Sequence, residues 1–254
     1  MRFIISFIAA AAFTLSLSEA AQAQSEITLL SPNPIKEIID MLVAKFEAKT
    51  GAKVKITYGS GVGTRKTVAE GGAQDVTLLF APFDDALKTG NVQKNSATVV
   101  ARLRLAVAVK KGAPKPDISN LAAVKRTLAN AKSIISVDPA QGSVGGATLL
   151  ALDKMGITDQ IRPKIKWVPG GGEVQNSVAK GETEIALGPY LSDMRNPGLD
   201  VVGALLPEAA TPVDITGFLS TGVKDAKTAR ALLDYLKSAE AAPVWQDAKA
   251  FPVP

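Results

Sequence analysis

The 254-residue sequence contains neither cysteine nor histidine. Lack of cysteine rules out disulfides and a thiol nucleophile. Lack of histidine rules out a Ser-His-Asp triad, a histidine-ligated zinc site and an imidazole acid–base step. Only carboxylate pairs and lysine remain as ordinary catalytic equipment. Aromatic residues are scarce at 5%, so there is no stacking platform for bases. Lysine and arginine are spread along the chain instead of clustered, which argues against nucleic acid as a partner. Hydrophobic residues make up 46% and charged ones 21%, the balance of a chain that folds around a core.

The one long apolar run is at the N-terminus. Arg2 precedes the stretch Phe3 to Leu17, and Ala21-Gln22-Ala23 forms an A-x-A cleavage site. These are the three parts of a secretory signal, residues 1–23, with a mature chain starting near Gln24 and a periplasmic destination. The run is shorter than the ~20 residues a membrane anchor needs. Cleavage removes Arg2 and Glu19 and leaves the net charge at +5, a mild positive field that favours an anionic partner.

The remainder alternates strand and helix patterns. Glu26 to Ser31 reads as a strand, and Pro34 to Lys49 as an amphipathic helix with Asn33 as N-cap and Gly51 as its stop. Strand 53–58, helix 61–70, strand 76–81 and helix 83–89 complete a β-α-β-α-β-α unit. Thr98 to Lys110 is longer than a typical strand and is expected to pass from one sheet into another. A second round follows, with helices at 121–131, 143–155 and 173–180 and strands at 133–137, 165–168 and 184–187. Strands from VVGALLP and VDITGFLSTGV come next, then a helix over 225–238. The expectation is an α/β protein of two Rossmann-like lobes, with mixed, mainly parallel sheets joined by a hinge and a ligand cleft between them.

Four strand-to-helix junctions carry small or turn-forming residues: Ser31 to Pro34, Gly59 to Gly63, Asp138 to Ser143 (with Ala140 and Gln141) and Pro169 to Glu173. Such turns sit at the carboxyl ends of the strands, where open α/β sheets bind ligands. Each starts a helix, whose free N–H groups and positive dipole end suit an anion. Ser60 and Ser143 either cap those helices or turn a hydroxyl to a ligand. Each turn taken singly also has a purely structural explanation; it is the occurrence of several in register that points to a ligand.

The stretch YGSGVGTRK looks like a phosphate loop, but its spacing fits neither G-x-x-x-x-G-K-[ST] nor G-x-G-x-x-G. Arg65, in the second turn of the helix beginning at Gly61, either forks onto a ligand carboxylate or phosphate or is a solvated charge; Lys66 is read as solvated. Asp84 and Asp85 are adjacent on a helix start and do not face each other as a catalytic pair would.

With these features in view, the sequence resembles the periplasmic solute-binding proteins of ABC transporters, and within them the molybdate-binding branch with type II lobes. The resemblance runs through ITLLS, ITYGSGVGTRKTVAEGGAQDVTLLFAP, VDPAQGSVGGATLLALDKMGI, VQNSVAKGETEIALGPY and ALLDYLKSAEAAPVWQ, and covers the mature chain. It implies an oxyanion held by neutral hydroxyls and backbone N–H groups, the matching positions being Ser31, Ser60, Ala140, Val174 and Tyr190. It also implies lobe one from residues 24–105 plus 212–254, lobe two from 106–211, no cofactor, a monomer, and an ABC permease in the inner membrane as partner. The SPNP turn replaces the family's usual alanine run, the order is Gly188-Pro189-Tyr190, and three glycines precede Glu173. These departures suit a larger or carboxylate-bearing ligand.

The leading expectation is therefore capture of a small anion by hinge closure for import. A molybdate- or tungstate-like oxyanion stands slightly ahead of an organic carboxylate, on the resemblance alone. An exported enzyme using carboxylates or lysine, and a ligand-sensing subunit that docks on a receptor, are the alternatives.

Overall fold

The computed structural model describes residues 25–252; the leader expected over 1–23 lies outside them. Strands β1 (Glu26–Pro32), β2 (Lys53–Gly59), β3 (Val76–Phe80) and β4 (Thr98–Leu103) belong to the first sheet. β5 (Leu105–Lys110), β6 (Ile134–Val137), β7 (Ile165–Val168), β8 (Ile185–Pro189) and β9 (Leu199–Ala204) form the second, and β10 (Val213–Leu219) and β11 (Phe251–Pro252) return to the first. The helices are α1 (Lys36–Thr50), α2 (Gly61–Ala69), α3 (Asp84–Lys88), α4 (Leu121–Asn130), α5 (Ser143–Met155), α6 (Thr158–Ile161), α7 (Gly171–Lys180), α8 (Tyr190–Met194), α9 (Ala226–Leu236) and α10 (Ala242–Asp247).

The six-stranded sheet has the order β11-β4-β10-β3-β1-β2 and the five-stranded sheet β7-β6-β8-β5-β9. β1, β2 and β3 run parallel, as do β6, β7 and β8. The strands next to the crossings, β4, β5, β9 and β10, pair antiparallel. The sheets are thus mixed and only partly parallel. A chain that leaves one lobe and later returns must run back against its neighbours, and a strand-by-strand reading weighted to β-α-β units overstates the parallel share.

The run 98–110 does pass between sheets: β4 ends at Leu103, β5 starts at Leu105, and Arg104 is the single residue between them. Arg104 donates from Nη2 to the Leu205 carbonyl at 2.9 Å, and Leu205 N–H donates to Leu105 O at 2.7 Å. The outgoing and returning crossings are therefore tied side by side, which makes a hinge. Each lobe has its own core. Ile38, Leu42 and Phe46 of α1 pack with Leu232, Leu236 and Trp245 on the first sheet. Leu128, Leu152 and Ile161 pack on the second.

Local signals account for most helix ends. Gly51 (φ 74°) and Gly156 (φ 68°) close α1 and α5 in the left-handed region, and Asp225 caps α9 through Thr228 N–H. The start of the first helix differs from expectation. β1 keeps its register with β2 as far as Pro32 opposite Gly59, so the turn begins at Asn33 as a 3-10 segment, Asn33–Ile35. Asn33 is then inside the turn with its side chain exposed, and it caps nothing. Similarly α7 starts at Gly171, two residues before the expected Glu173, because Gly170 takes the N-cap position. No helix among the described residues is long and apolar enough to cross a membrane.

Candidate functional site

The strand-to-helix junctions converge. A cavity of about 410 Å³ lies between the sheets and is bounded by the starts of α1, α2, α5 and α7 together with Gln175 and Arg195. Of the residues singled out from the sequence, Asn33, Ser60, Gly61, Gln141 and Ser143 line it. Ser31, Arg65, Ala140, Glu173, Val174 and Tyr190 are not among its lining residues.

Three helix N-termini supply backbone donors. In α2, Thr64 N–H bonds Ser60 O and Gly63 N–H bonds Ser60 Oγ at 2.9 Å, so the donors of the first turn left for a ligand are those of Gly61 and Val62. In α5, Gly142 is the N-cap and offers no side chain, which leaves Ser143 and Val144 N–H without helical partners. In α7 the same holds for Gly171 and Gly172 behind Gly170. The missing side chains of Gly170, Gly171 and Gly172 border open space, so this wall of the cavity is bare backbone. Val174 N–H is bonded to Gly170 O, Ala140 N–H to Asp138 Oδ1 at 2.8 Å and Tyr190 N–H to Arg104 O at 3.0 Å. Those three amides are already bonded within the protein.

The hydroxyls are better placed. Ser60 Oγ accepts from Gly63 N–H, and Ser143 Oγ accepts from Arg65 Nη1 at 3.0 Å. In each case the oxygen is occupied as an acceptor and its proton is left to donate, the polarity an anion needs. Ser31 Oγ is fully buried at the end of β1 with no hydrogen-bond partner among the described residues. Replacement of Ser60 by alanine removes the α2 cap and is expected to cost about 1 kcal/mol. A drop of ~2–4 °C in melting temperature, measured without added anion, checks this.

Arg65 is neither a free charge nor a direct wall of the cavity. Its side chain is 13% exposed; Nη1 donates to Pro82 O at 2.7 Å as well as to Ser143, and Nε lies 3.7 Å from Asp85 Oδ2. It therefore holds a lobe-two hydroxyl from lobe one. A second guanidinium, Arg195, was not evident from the sequence. It lines the cavity and its Nη1 lies 2.6 Å from Glu37 Oε2 on α1, a second link across the cleft.

Asp193 lies behind this wall, 1% exposed and with Oδ2 unpartnered among the described residues. Gln175 Nε2, from the cavity lining, reaches Oδ1 only at 3.4 Å. A side chain at Gly188 would meet Oδ2 at 2.6 Å, so the glycine makes room for the carboxyl. Burial pushes Asp193 up to about 7, and the Gln175 contact offsets this only in part. Between pH ~4 and ~7 the unfolded chain has lost a proton that the folded chain keeps, so stability falls as pH rises through that window and stays lower above it. Asp193→Asn removes this loss. Its melting temperature should exceed that of the wild type most at pH 8, with the gap closing toward pH 4.

No group of three or more histidine, cysteine, aspartate or glutamate side chains that could hold a metal occurs among the described residues. The site is a cleft between two hinged α/β lobes, lined by helix N-termini and hydroxyls. Together these features are those of the type II periplasmic binding fold. The chain belongs to the family of bacterial extracellular solute-binding proteins, whose model matches residues 27–248. That fold and family are characteristic of non-catalytic solute-binding proteins.

Among relatives, the chain is 32% identical over 243 residues to an aconitate isomerase of a Pseudomonas species, covering 92% of this chain and 91% of that one. It is 28% identical over 238 residues to the molybdate-binding protein ModA of Azotobacter vinelandii, covering 89% and 88%. In structure it resembles the substrate-binding domain of a molybdenum ABC transporter from Clostridium difficile, with a TM-score of 0.75 at 13% identity over 91% of this chain and 100% of that one.

Proposed function

We propose that this protein captures a small polycarboxylate in the periplasm and delivers it, as a monomer, to an ABC permease, after the leader at residues 1–23 has directed its export. The observation that carries the reading is the cavity itself: about 410 Å³, with positive helix ends from both lobes and the guanidinium of Arg195 on its wall. That volume is in the range of ~300–1,000 Å³ usual for organic ligands, and a four-oxygen anion would leave most of it to water. The bare wall at Gly170 to Gly172 adds width where a side chain would have filled the cleft. The relative named for aconitate supports a tricarboxylate as the first ligand to test.

In this reading one carboxylate is held by the N–H groups of Gly61 and Val62 from one lobe and of Ser143 and Val144 from the other, with the Ser60 and Ser143 hydroxyls donating. Contacts from both sides favour the closed form, which is what a permease would recognise.

The test is a thermal-shift panel on the mature chain with trans-aconitate, citrate, succinate, molybdate, tungstate, sulfate and phosphate. A ligand that binds only the folded state raises the melting temperature. Tri- or dicarboxylates should do so; a response confined to molybdate and tungstate would return the oxyanion to first place. The isomerase among the relatives gives the same samples a second readout: interconversion of cis- and trans-aconitate, followed by proton NMR, would replace binding by catalysis in this site.

A further inference from the structure

Glu37 is the one carboxylate, and Arg195 the one cation, among the described residues that line the cavity. A negative side chain on the wall of a site built from positive helix ends opposes the ligand the site is made for. The opposition vanishes while Glu37 is paired to Arg195 across the cleft, at 2.6 Å. The pair is not there for stability, because its side chains are 69% and 32% exposed and ion pairs so exposed contribute little.

We infer that Arg195 is a specificity-determining residue whose guanidinium is exchanged from Glu37 to a ligand carboxylate. This inference rests on the polycarboxylate reading above. Arg195 is the less exposed partner and carries a planar fork suited to a carboxylate. Glu37 is in the first turn of α1, largely in water, and can leave the fork without becoming a buried charge. The ligand carboxylate that replaces it is a second one, distinct from that held at the starts of α2 and α5. A bare oxyanion seated at those helix ends presents no second carboxylate and leaves the Glu37–Arg195 pair intact. The protein thereby selects for ligands with two separated acids.

Two substitutions separate exchange from a simple clasp between lobes. By calorimetric titration with trans-aconitate, Arg195→Gln should weaken binding by roughly 10–100-fold, the loss of one charge-assisted hydrogen-bonded contact. Glu37→Gln should tighten it, by about 3–10-fold, because the ligand no longer competes with an internal carboxylate. Opposite signs support the exchange. If both substitutions weaken binding, the pair is a clasp, and if Arg195→Gln changes nothing, Arg195 does not read the ligand; either result overturns the inference and leaves the polycarboxylate reading standing. A wild-type protein that binds molybdate and no carboxylate overturns both, and this is seen before any variant is made. Unchanged melting temperatures of the unliganded variants confirm that they fold.

Discussion

Arg65→Ala is expected to weaken carboxylate binding by roughly 10–100-fold and to lower the melting temperature of the unliganded protein by about 3–10 °C. The effect follows from what Nη1 does. It donates to Pro82 O in lobe one and to Ser143 Oγ in lobe two, so it holds the Ser143 oxygen as an acceptor and leaves the hydroxyl proton to donate. Without it the hydroxyl is free to spend that proton elsewhere, and the closed arrangement loses a charge-assisted hydrogen bond worth ~1.5–3 kcal/mol. Arg65→Lys should rescue little, because one ammonium on a flexible stem does not reproduce a rigid guanidinium wedged between a carbonyl and a hydroxyl. Calorimetry on the two variants checks this. Affinity that survives Arg65→Ala would mean Ser143 is oriented by its own helix start and that Arg65 serves only the Pro82 turn.

The second large effect is on stability. A Cβ at Gly145 would lie 2.1 Å from Val137 O and 2.6 Å from Pro139 N, both backbone atoms that cannot swing aside. Gly145 is in the first turn of α5, and its bareness lets that helix start directly against the end of β6, which is how Ser143 and Val144 come to face the cavity. Gly145→Ala must push α5 away from β6. Overpacking of this kind costs about 1–3 kcal/mol, and more where backbone has to move; a fall of ~5–10 °C in melting temperature is expected for a chain of this size. Gly146 is the internal control. Nothing lies within 4 Å of a Cβ placed there, so Gly146→Ala should gain up to ~1 kcal/mol of helix propensity. Two adjacent glycines with opposite responses to the same methyl group would show that the approach of α5 to β6, and not helix content, sets stability here.

The division of what could be read from the sequence follows the range of the interactions. The helix stops at Gly51 and Gly156 and the passage of 98–110 between sheets are signalled within a few residues, and they were legible. So was the convergence of the junctions, because an open α/β sheet places all of its strand ends on one side. That the amides of Ala140, Val174 and Tyr190 are bonded within the protein was not legible. Their partners, Asp138 Oδ1, Gly170 O and Arg104 O, depend on how each turn closes, and for Tyr190 on a crossing residue far away in the chain. Arg195 and Glu37 carry no local signal for the same reason: each looks like an ordinary surface charge until the lobes bring them together. Asp193 stands out only once Gly188 and Gln175 are seen packed on it.

Molybdate was the natural expectation from the resemblance, and the relative named ModA keeps it in view. Against it stand the width of the cavity and the guanidinium of Arg195 on its wall, paired with Glu37. The measurement that decides is a calorimetric titration of the wild-type protein lacking residues 1–23 with trans-aconitate and, separately, with molybdate. Saturable one-to-one binding of the tricarboxylate, with little or no heat from molybdate, is the expected result. Saturable binding of molybdate with no response to the tricarboxylate would contradict a polycarboxylate site.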